Sequence, residues 1–378
     1  MTDPFDQRID DCRRRLEDTA AEAAVLFPSP NLTYLTGFEE SPSERHLLLF
    51  VPRAGEPAFV APAMYADQLA ATPIDDVRLW DDGDDPVSLV AETLSDLDVD
   101  GGRVLVDDRM WALFTQNLRS VLPDAEFDLA SVVFEDLRLR KDETELEALR
   151  RAGDIADRVS AKIRTRGEDV IGTTEADLAA EIERLLAASD GGDPAFETIV
   201  ASGPNGARPH HHSGDREIEA GDPVVLDFGA FVDADLESGT ARYPGDQTRT
   251  IVFGGEPSAE YREVHEVVRE AQETAVEAVE PGVTAGEIDR AARSVIEDAG
   301  YGDAFVHRTG HGVGLEVHEP PYIVDGNDRE LEPGMVFSVE PGIYLEGQFG
   351  VRIEDLVVVT DDGAEPLNDS PRGWQSET

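Results

Sequence analysis

Hydrophobic and polar positions follow two rhythms along this chain. Up to about residue 135, short apolar runs alternate with amphipathic stretches. A helix is predicted over "DQRIDDCRRRLED", then a strand at "AAVLF". "HLLLFVPRAGEPAFVAP" reads as a hairpin turning at Arg53-Ala-Gly-Glu-Pro. A helix near 63–71, the strand "VRLW", a helix near 86–97, the strand "RVLVDD" and a helix near 109–121 complete the series. Such alternation predicts an α/β domain. "FEDLRLRKDETELEALRRAGDIADRVSAKI" reads as a connector into a long helix, with Leu146, Leu149, Ala152 and Ile155 at helical spacing. This puts a boundary within about 135–140, dividing the chain into domains 1–137 and 138–378.

The second rhythm is helix, helix, strands, twice over. Thr173 or Thr174 caps a helix through "EADLAAEIERLLAASDGG", and strands follow at "AFETIVASG", "PVVLDFGAFV" and "TRTIVFGG". "SAEYREVHEVVREAQETAVEAV" begins the recurrence, and the next helix opens on the capping box Thr284-x-x-Glu287 and ends at Gly300. "GMVFSVEPGIY" and "VRIEDLVVVT" read as closing strands. The order of elements repeats although the residues do not, predicting an α+β domain with two pseudo-equivalent halves.

Charge changes the picture of where such a chain works. It carries 81 acidic against 32 basic residues, a net charge of -49, with 40% hydrophobic residues. Lys141 and Lys162 are its lysines; every other basic residue is an arginine. Acidity spread evenly over a globular composition fits a salt-accumulating cytoplasm, where the Debye length falls to about 3 Å at 1 M salt. Nucleic acid and anionic membrane are excluded as partners on this reading, since both require basic patches. Cys12 stands alone, so no intrachain disulfide forms. "MTDPFDQRID" lacks a signal-peptide pattern and no apolar run reaches a membrane span, so a soluble, cytoplasmic protein is expected.

Against so many acids, a single Asp or Glu is ordinarily a solvated surface charge. Asp227 in "PVVLDFGAF", Glu340 in "MVFSVEPGIY" and Glu354 in "GVRIEDLVVV" are flanked instead by apolar residues, and Asp246 starts "DQTRTIVFG" as a weaker fourth. Buried carboxylates without partners are costly. Four of them would balance two divalent cations. Six of the eight histidines fall in "GARPHHHSGD" and "VHRTGHGVGLEVHEPP". One imidazole, His311 first, added to four carboxylates makes a mixed O/N set suited to Mn, Co, Fe or Zn.

The stretches "IVASGPNGARPHH", "VVLDFGAF", "DQTRTIVFG", "TGHGVGLEVHE", "FSVEPGIY" and "VRIEDLVVVT" together resemble the pita-bread metallopeptidases, the creatinase, prolidase and aminopeptidase P type. The fold implied is a pita-bread catalytic domain of class α+β with pseudo-twofold halves, after a smaller α/β creatinase/prolidase-like N-terminal domain signalled by "NLTYLTGFEE". The resemblance implies a dinuclear site of Asp227, Asp246, His311, Glu340 and Glu354. It gives His210 and His318 catalytic places beside the substrate carbonyl, with Glu340 moving a proton, and puts His307 and Arg352 at the substrate. The interval from Asp227 to Asp246 is longer than the family's, whose spacing lands on Ser238; a longer hairpin loop explains this, with Asp235 and Glu237 as outside candidates for the ligand. His211 and His212 read as bystanders, His265 as a surface residue of a charged helix and His46 as a strand-edge residue.

The implied activity is hydrolysis of the bond between an N-terminal residue and proline, by an Xaa-Pro dipeptidase or an Xaa-Pro aminopeptidase using two divalent ions, Mn or Co first. Short peptides with proline second are the implied partners, and a homodimer the implied assembly. The alternatives are a related hydrolase of another small amide and a non-catalytic pita-bread binding protein. Retention of all five ligand candidates argues against creatinase and against a scaffold.

Overall fold

The computed structural model describes residues 4–189, 192–236 and 239–376, which form two compact units. The first comprises residues 1–138 together with 235–241, the second residues 139–234 and 242–378.

In the first unit a six-stranded sheet runs in the order Asp76–Trp80, Ala58–Pro62, Leu48–Pro52, Ala21–Leu26, Arg103–Val106, Glu126–Leu129. The expected hairpin is its antiparallel pair Leu48–Pro52 and Ala58–Pro62, while Ala21–Leu26 pairs in parallel with Arg103–Val106. Alternate residues Ala23, Val25, Leu48, Phe50, Val104 and Val106 enter one core with Val90, Leu94, Phe114 and Leu118 from the covering helices. Three elements here differ from expectation. Helix Pro30–Thr36 forms from "PNLTYLT" because Ser29 Oγ accepts the Leu32 N–H and Gly37 closes the helix at φ 63°. Strand Glu126–Leu129 is a polar edge strand. Ser131–Leu139 is helical where a connector was expected.

The second unit contains the repeated cassette. Helices Glu143–Arg164 and Glu175–Ala187 precede a three-stranded antiparallel sheet of Ile199–Ser202, Pro223–Phe228 and Gln247–Val252. Helices Ala259–Glu277 and Ala285–Asp298 precede a five-stranded antiparallel sheet that includes Gly310–Gly312, Val336–Val339 and Asp355–Thr360. Each half has its own apolar core. Thr174 and Thr284 cap the second helix of each half. Each also forms an isolated antiparallel bridge, Thr174 to Glu217 and Thr284 to Glu330.

Those bridges correct the reading that residues do not repeat. Anchored on them, "EIEAGDPVVLD" (217–227) aligns with "ELEPGMVFSVE" (330–340) without a gap. The alignment places Asp227 and Glu340 at the same position of the two halves.

Candidate active site

Asp227 lies in strand Pro223–Phe228, directly opposite Thr248 of strand Gln247–Val252. Between these strands the chain makes a second antiparallel pair, Phe231–Asp233 with Arg242–Pro244. Of the chain beyond it, residues 235, 236 and 239–241 belong to the first unit, where Thr240 N donates to Gly37 O at 2.7 Å. The long interval therefore leaves the main ladder intact: Gln247 still pairs with Phe228, and buried Asp246 is next to that pair. The close crossing requires glycine. A Cβ on Gly229 would lie 1.7 Å from Gly245 O.

Glu340 and Glu354 do not interrupt strands as expected; they stand where strands end. Val336–Val339 stops before Glu340, because Pro341 has no N–H to continue a ladder. Glu354 falls between strands Phe349–Arg352 and Asp355–Thr360 and bridges to Thr248. His311 is carried by the short strand Gly310–Gly312, packed so tightly that a Cβ on Gly310 would lie 1.8 Å from Ser338 O.

All five candidate ligands, with His210, His307, His318 and Arg352, line one cavity of about 540 Å³ in the second unit. His311 Nδ1–H donates to Gly312 O at 3.2 Å, which turns Nε2 toward Glu340 (3.3 Å) and Asp246 (3.7 Å). Asp246, His311 and Glu354 offer ligand atoms within 4.8 Å of one another. Glu354 Oε2 accepts from Thr248 Oγ1 at 2.6 Å, and Asp227 Oδ2 accepts from Arg352 Nη2 at 2.6 Å. Asp227 Oδ1 is buried with no hydrogen-bond partner among the described residues.

The electrostatics describe a cluster short of positive charge. Burial, then the charges of Asp227 and Glu340, push the Asp246 carboxyl well above its usual range. Burial and then Asp246 do the same to Glu354. Asp227 is also raised, chiefly by burial, against the pull of Arg352. Glu340 goes the other way. Burial opposes its charge, but His311, His307 and Arg352 hold it down to about 2. An orphaned buried oxygen, crowded carboxylates and an imidazole directed at them are the donor set of a divalent-cation site. Asp246, His311 and Glu354 fit one such ion, and Asp227 and Glu340 bring further donors to the same cavity.

A hydrogen-bond chain backs the cluster. Arg352 Nε donates to Thr248 Oγ1 (3.1 Å) and Nη1 to Tyr344 Oη (2.9 Å). Tyr344 Oη is 2.9 Å from His307 Nε2, whose Nδ1 faces Arg308 O at 2.7 Å. Burial lowers the His307 pKa and raises that of Tyr344. One assignment satisfies every atom: neutral His307 donates from Nδ1 and accepts the tyrosine proton at Nε2. The His318 ring meets His311 edge-on with centroids 3.9 Å apart, and burial, then the His311 charge, bring its pKa down to about 4. His210 is exposed at the cavity.

Tyr344 and Thr248 were not singled out in the sequence, since hydrogen bonds across strands leave no local pattern. Glu175 was also missed. It is fully buried and accepts from Ser202 N and Oγ, Asn205 Nδ2 and His211 Nε2 (2.7 Å), so His211 is tied into the cavity wall. His212 is exposed beside Glu197. Lys141, one of two lysines, forms a buried ion pair with Glu319 at 2.8 Å, immediately after His318. The rarity of lysine in this chain is the signal that could have singled it out. His265 corrects an expectation: it is buried against Tyr261, not on the surface, and burial lowers its pKa to about 4. His46 is buried, its Nε2 2.9 Å from Asn117 Nδ2. Asp235 does not line the cavity; Glu237 and Ser238 lie outside the described residues.

Comparison with known proteins bears on this geometry. Residues 147–361 match the model of metallopeptidase family M24, and residues 8–140 match that of the creatinase/prolidase N-terminal domain. The probable dipeptidase PepE of Mycobacterium tuberculosis (strain ATCC 25618 / H37Rv) is 43% identical over 94% of this chain and 92% of its own length. The Xaa-Pro dipeptidase of Lactobacillus delbrueckii subsp. lactis is 37% identical over 95% of this chain and 96% of its own. The crystal structure of a prolidase from Thermococcus sibiricus superposes with a TM-score of 0.90 at 37% identity, covering 98% of both chains.

Proposed function

This chain belongs to metallopeptidase family M24, and on that premise we propose that it is an Xaa-Pro dipeptidase. It hydrolyses the bond between an N-terminal residue and a C-terminal proline. The observation that carries the reading is the convergence of Asp227, Asp246, His311, Glu340 and Glu354 on one cavity, with Asp227 Oδ1 unsatisfied. These five residues would hold two divalent ions, which when bound would make hydroxide available near neutral pH and polarise a carbonyl.

The chain's own residues do the rest. Asp227 is oriented by Arg352, and Glu354 by Thr248. His210 and His318 hydrogen-bond the carbonyl oxygen as negative charge develops, a contribution of about 3 kcal/mol per donor in comparable sites. Glu340, held ionised, receives the proton of the attacking water and passes it to the leaving proline nitrogen. His307, fixed by Tyr344 and Arg308 O, forms the wall against which the substrate rests. The carboxylates balance the substrate's free amine, which makes the enzyme an exopeptidase.

We assign the N-terminal domain to 1–137 and the catalytic domain to 138–378. Manganese or cobalt suits the O/N donor set. The charge of -49 suits a salt-rich cytoplasm, and the family resemblance supports a homodimer. No described helix is long and apolar enough to cross a membrane.

Hydrolysis of Ala-Pro against Ala-Pro-Ala, by protein stripped of metal and resupplied with Mn in molar KCl, tests the activity. Metal-dependent cleavage of the dipeptide alone is expected. Cleavage of the tripeptide makes the enzyme an Xaa-Pro aminopeptidase. Cleavage of neither by folded, metal-loaded protein rules out Xaa-Pro peptidase activity.

A further inference from the structure

An arginine follows Thr248 in "DQTRTIVFG", and nothing in the proposed reaction uses it. Side chains alternate along a strand, so while Thr248 turns its hydroxyl to Glu354, Arg249 leaves the other face of strand Gln247–Val252. It is 1% exposed, a charge taken wholly out of water. A guanidinium has five N–H groups, and here each meets an acceptor. Nη1 donates to Thr248 O (2.9 Å) and Glu354 O (2.6 Å). Nη2 donates to Asp355 Oδ1 (2.6 Å) and Ser370 O (2.9 Å), and Nε to Pro371 O (3.2 Å).

The grip on Glu354 bears on the site. Glu354 stands at the join of strands Phe349–Arg352 and Asp355–Thr360, which lie in different sheets, so no single ladder sets its position. Residues 248 and 249 hold its backbone instead: Glu354 N donates to Thr248 O at 3.1 Å, and Glu354 O accepts from Arg249. Asp246, two residues before Thr248, is thereby tied to the backbone of a ligand from the other half. The frame behind Arg249 is itself bonded. Gln247 Oε1 accepts from Ser370 Oγ at 3.0 Å, and Asp355 Oδ2 accepts from Gln272 Nε2 (2.9 Å) and Arg372 Nε (2.7 Å). A buried charge so completely hydrogen-bonded recovers its desolvation cost, and only a planar fork reaches all these acceptors at once.

We propose that Arg249 is a positioning residue for the cation site. It fixes Glu354 relative to Asp246 and so sets how tightly Asp246, His311 and Glu354 bind a divalent ion. This rests on reading the cavity as a metal centre. Metal–ligand distances are tolerated within about 0.2 Å, so a small shift of one ligand's backbone matters. The sign of the effect separates this role from a Coulombic one. Arg249 is a cation behind a cation site, and its charge alone opposes metal. Removing it tightens binding if charge governs and loosens binding if position governs.

The test titrates metal-stripped protein with Mn in molar KCl, following the unbound ion by electron paramagnetic resonance. Wild type is compared with Arg249→Met, Arg249→Lys and Arg372→Met, and circular dichroism and melting temperatures verify folding. Arg372→Met removes the same charge from the same partner, Asp355, and leaves the bonds from Arg249 to Glu354 in place. The dissociation constant for Mn is expected to rise roughly 10- to 100-fold in Arg249→Met. Arg249→Lys, with three donors for five acceptors, recovers part of the loss, and Arg372→Met binds as wild type does. An Arg249→Met protein that binds Mn as tightly as wild type, or more tightly, overturns the proposal. Equal losses in Arg249→Met and Arg372→Met overturn it too, since they mark a general structural role. If Arg249→Met does not fold, Arg249→Lys is read against Arg372→Met by the same criteria. All of these outcomes leave the wild-type peptidase reading intact. A wild type that binds no Mn overturns the metal-centre reading and this inference with it.

Discussion

Neutralising one carboxylate of the cluster should stabilise the metal-free protein and at the same time weaken its response to metal. Asp246→Asn preserves shape and removes a charge. In the native cluster Asp246 and Glu354 offer oxygens within 4.8 Å of each other. Two unit charges at that distance repel by roughly 3 kcal/mol at an effective dielectric constant of about 20. Burial shields such a pair from salt. The pH dependence has a definite sign. Both groups have native pKa values raised well above those of the unfolded chain. Their contribution to stability is complete below the unfolded value, about 3.9 for Asp, and is lost as pH rises through the native values. Once both groups are ionised, metal-free wild type carries the repulsion, and Asp246→Asn relieves up to roughly 3 kcal/mol of it. With Mn the order reverses, because saturating each of two intact sites at 100 times its Kd adds about 2.7 kcal/mol, and the two together exceed the repulsion relieved. Scanning calorimetry in EDTA and in excess Mn measures both. The variant is expected to melt above wild type in EDTA and below it in Mn. A variant that melts at or below wild type in EDTA refutes the electrostatic argument.

Three further substitutions probe the surroundings. His265, with a native pKa of about 4 against 6.5 unfolded, stabilises fully above pH 6.5 and loses about 3 kcal/mol as pH falls to about 4; urea unfolding of His265→Leu should show a flatter profile over that window, and parallel profiles would contradict it. Lys141→Met removes the buried cation that faces Glu319, so unfolding free energy should drop about 3–5 kcal/mol, with most of it regained in Lys141→Met/Glu319→Gln. Tyr344→Phe strands Arg352 Nη1 and His307 Nε2, which should cost about 1–3 kcal/mol in urea and lower kcat while bound Mn, measured by mass spectrometry, is retained.

Apolar context was enough to separate Asp227, Glu340 and Glu354 from the other acids, because charge among aliphatic residues conflicts with the burial those neighbours require. The same context misplaced two of them within strands. Pro341 signals that Val336–Val339 must end, and Glu354 marks a join between two strands in different sheets. His265 was legible but misread: Tyr261, Val264, His265 and Val268 lie at helical spacing on one buried face, and the charged residues between them belong to the other. The internal repeat is legible too, because Thr174 and Thr284 are equivalent helix caps. Partners such as Tyr344 to His307, or Lys141 to Glu319, join residues far apart in the chain and have no local signature.

The central claim is that five side chains from two equivalent halves hold two cations. Anomalous diffraction from crystals grown with Mn measures this directly. The account predicts two peaks in the cavity of the second unit, with Asp227, Asp246, His311, Glu340 and Glu354 as their protein ligands. A single peak, or two peaks that leave any of these five side chains unbound, would contradict it.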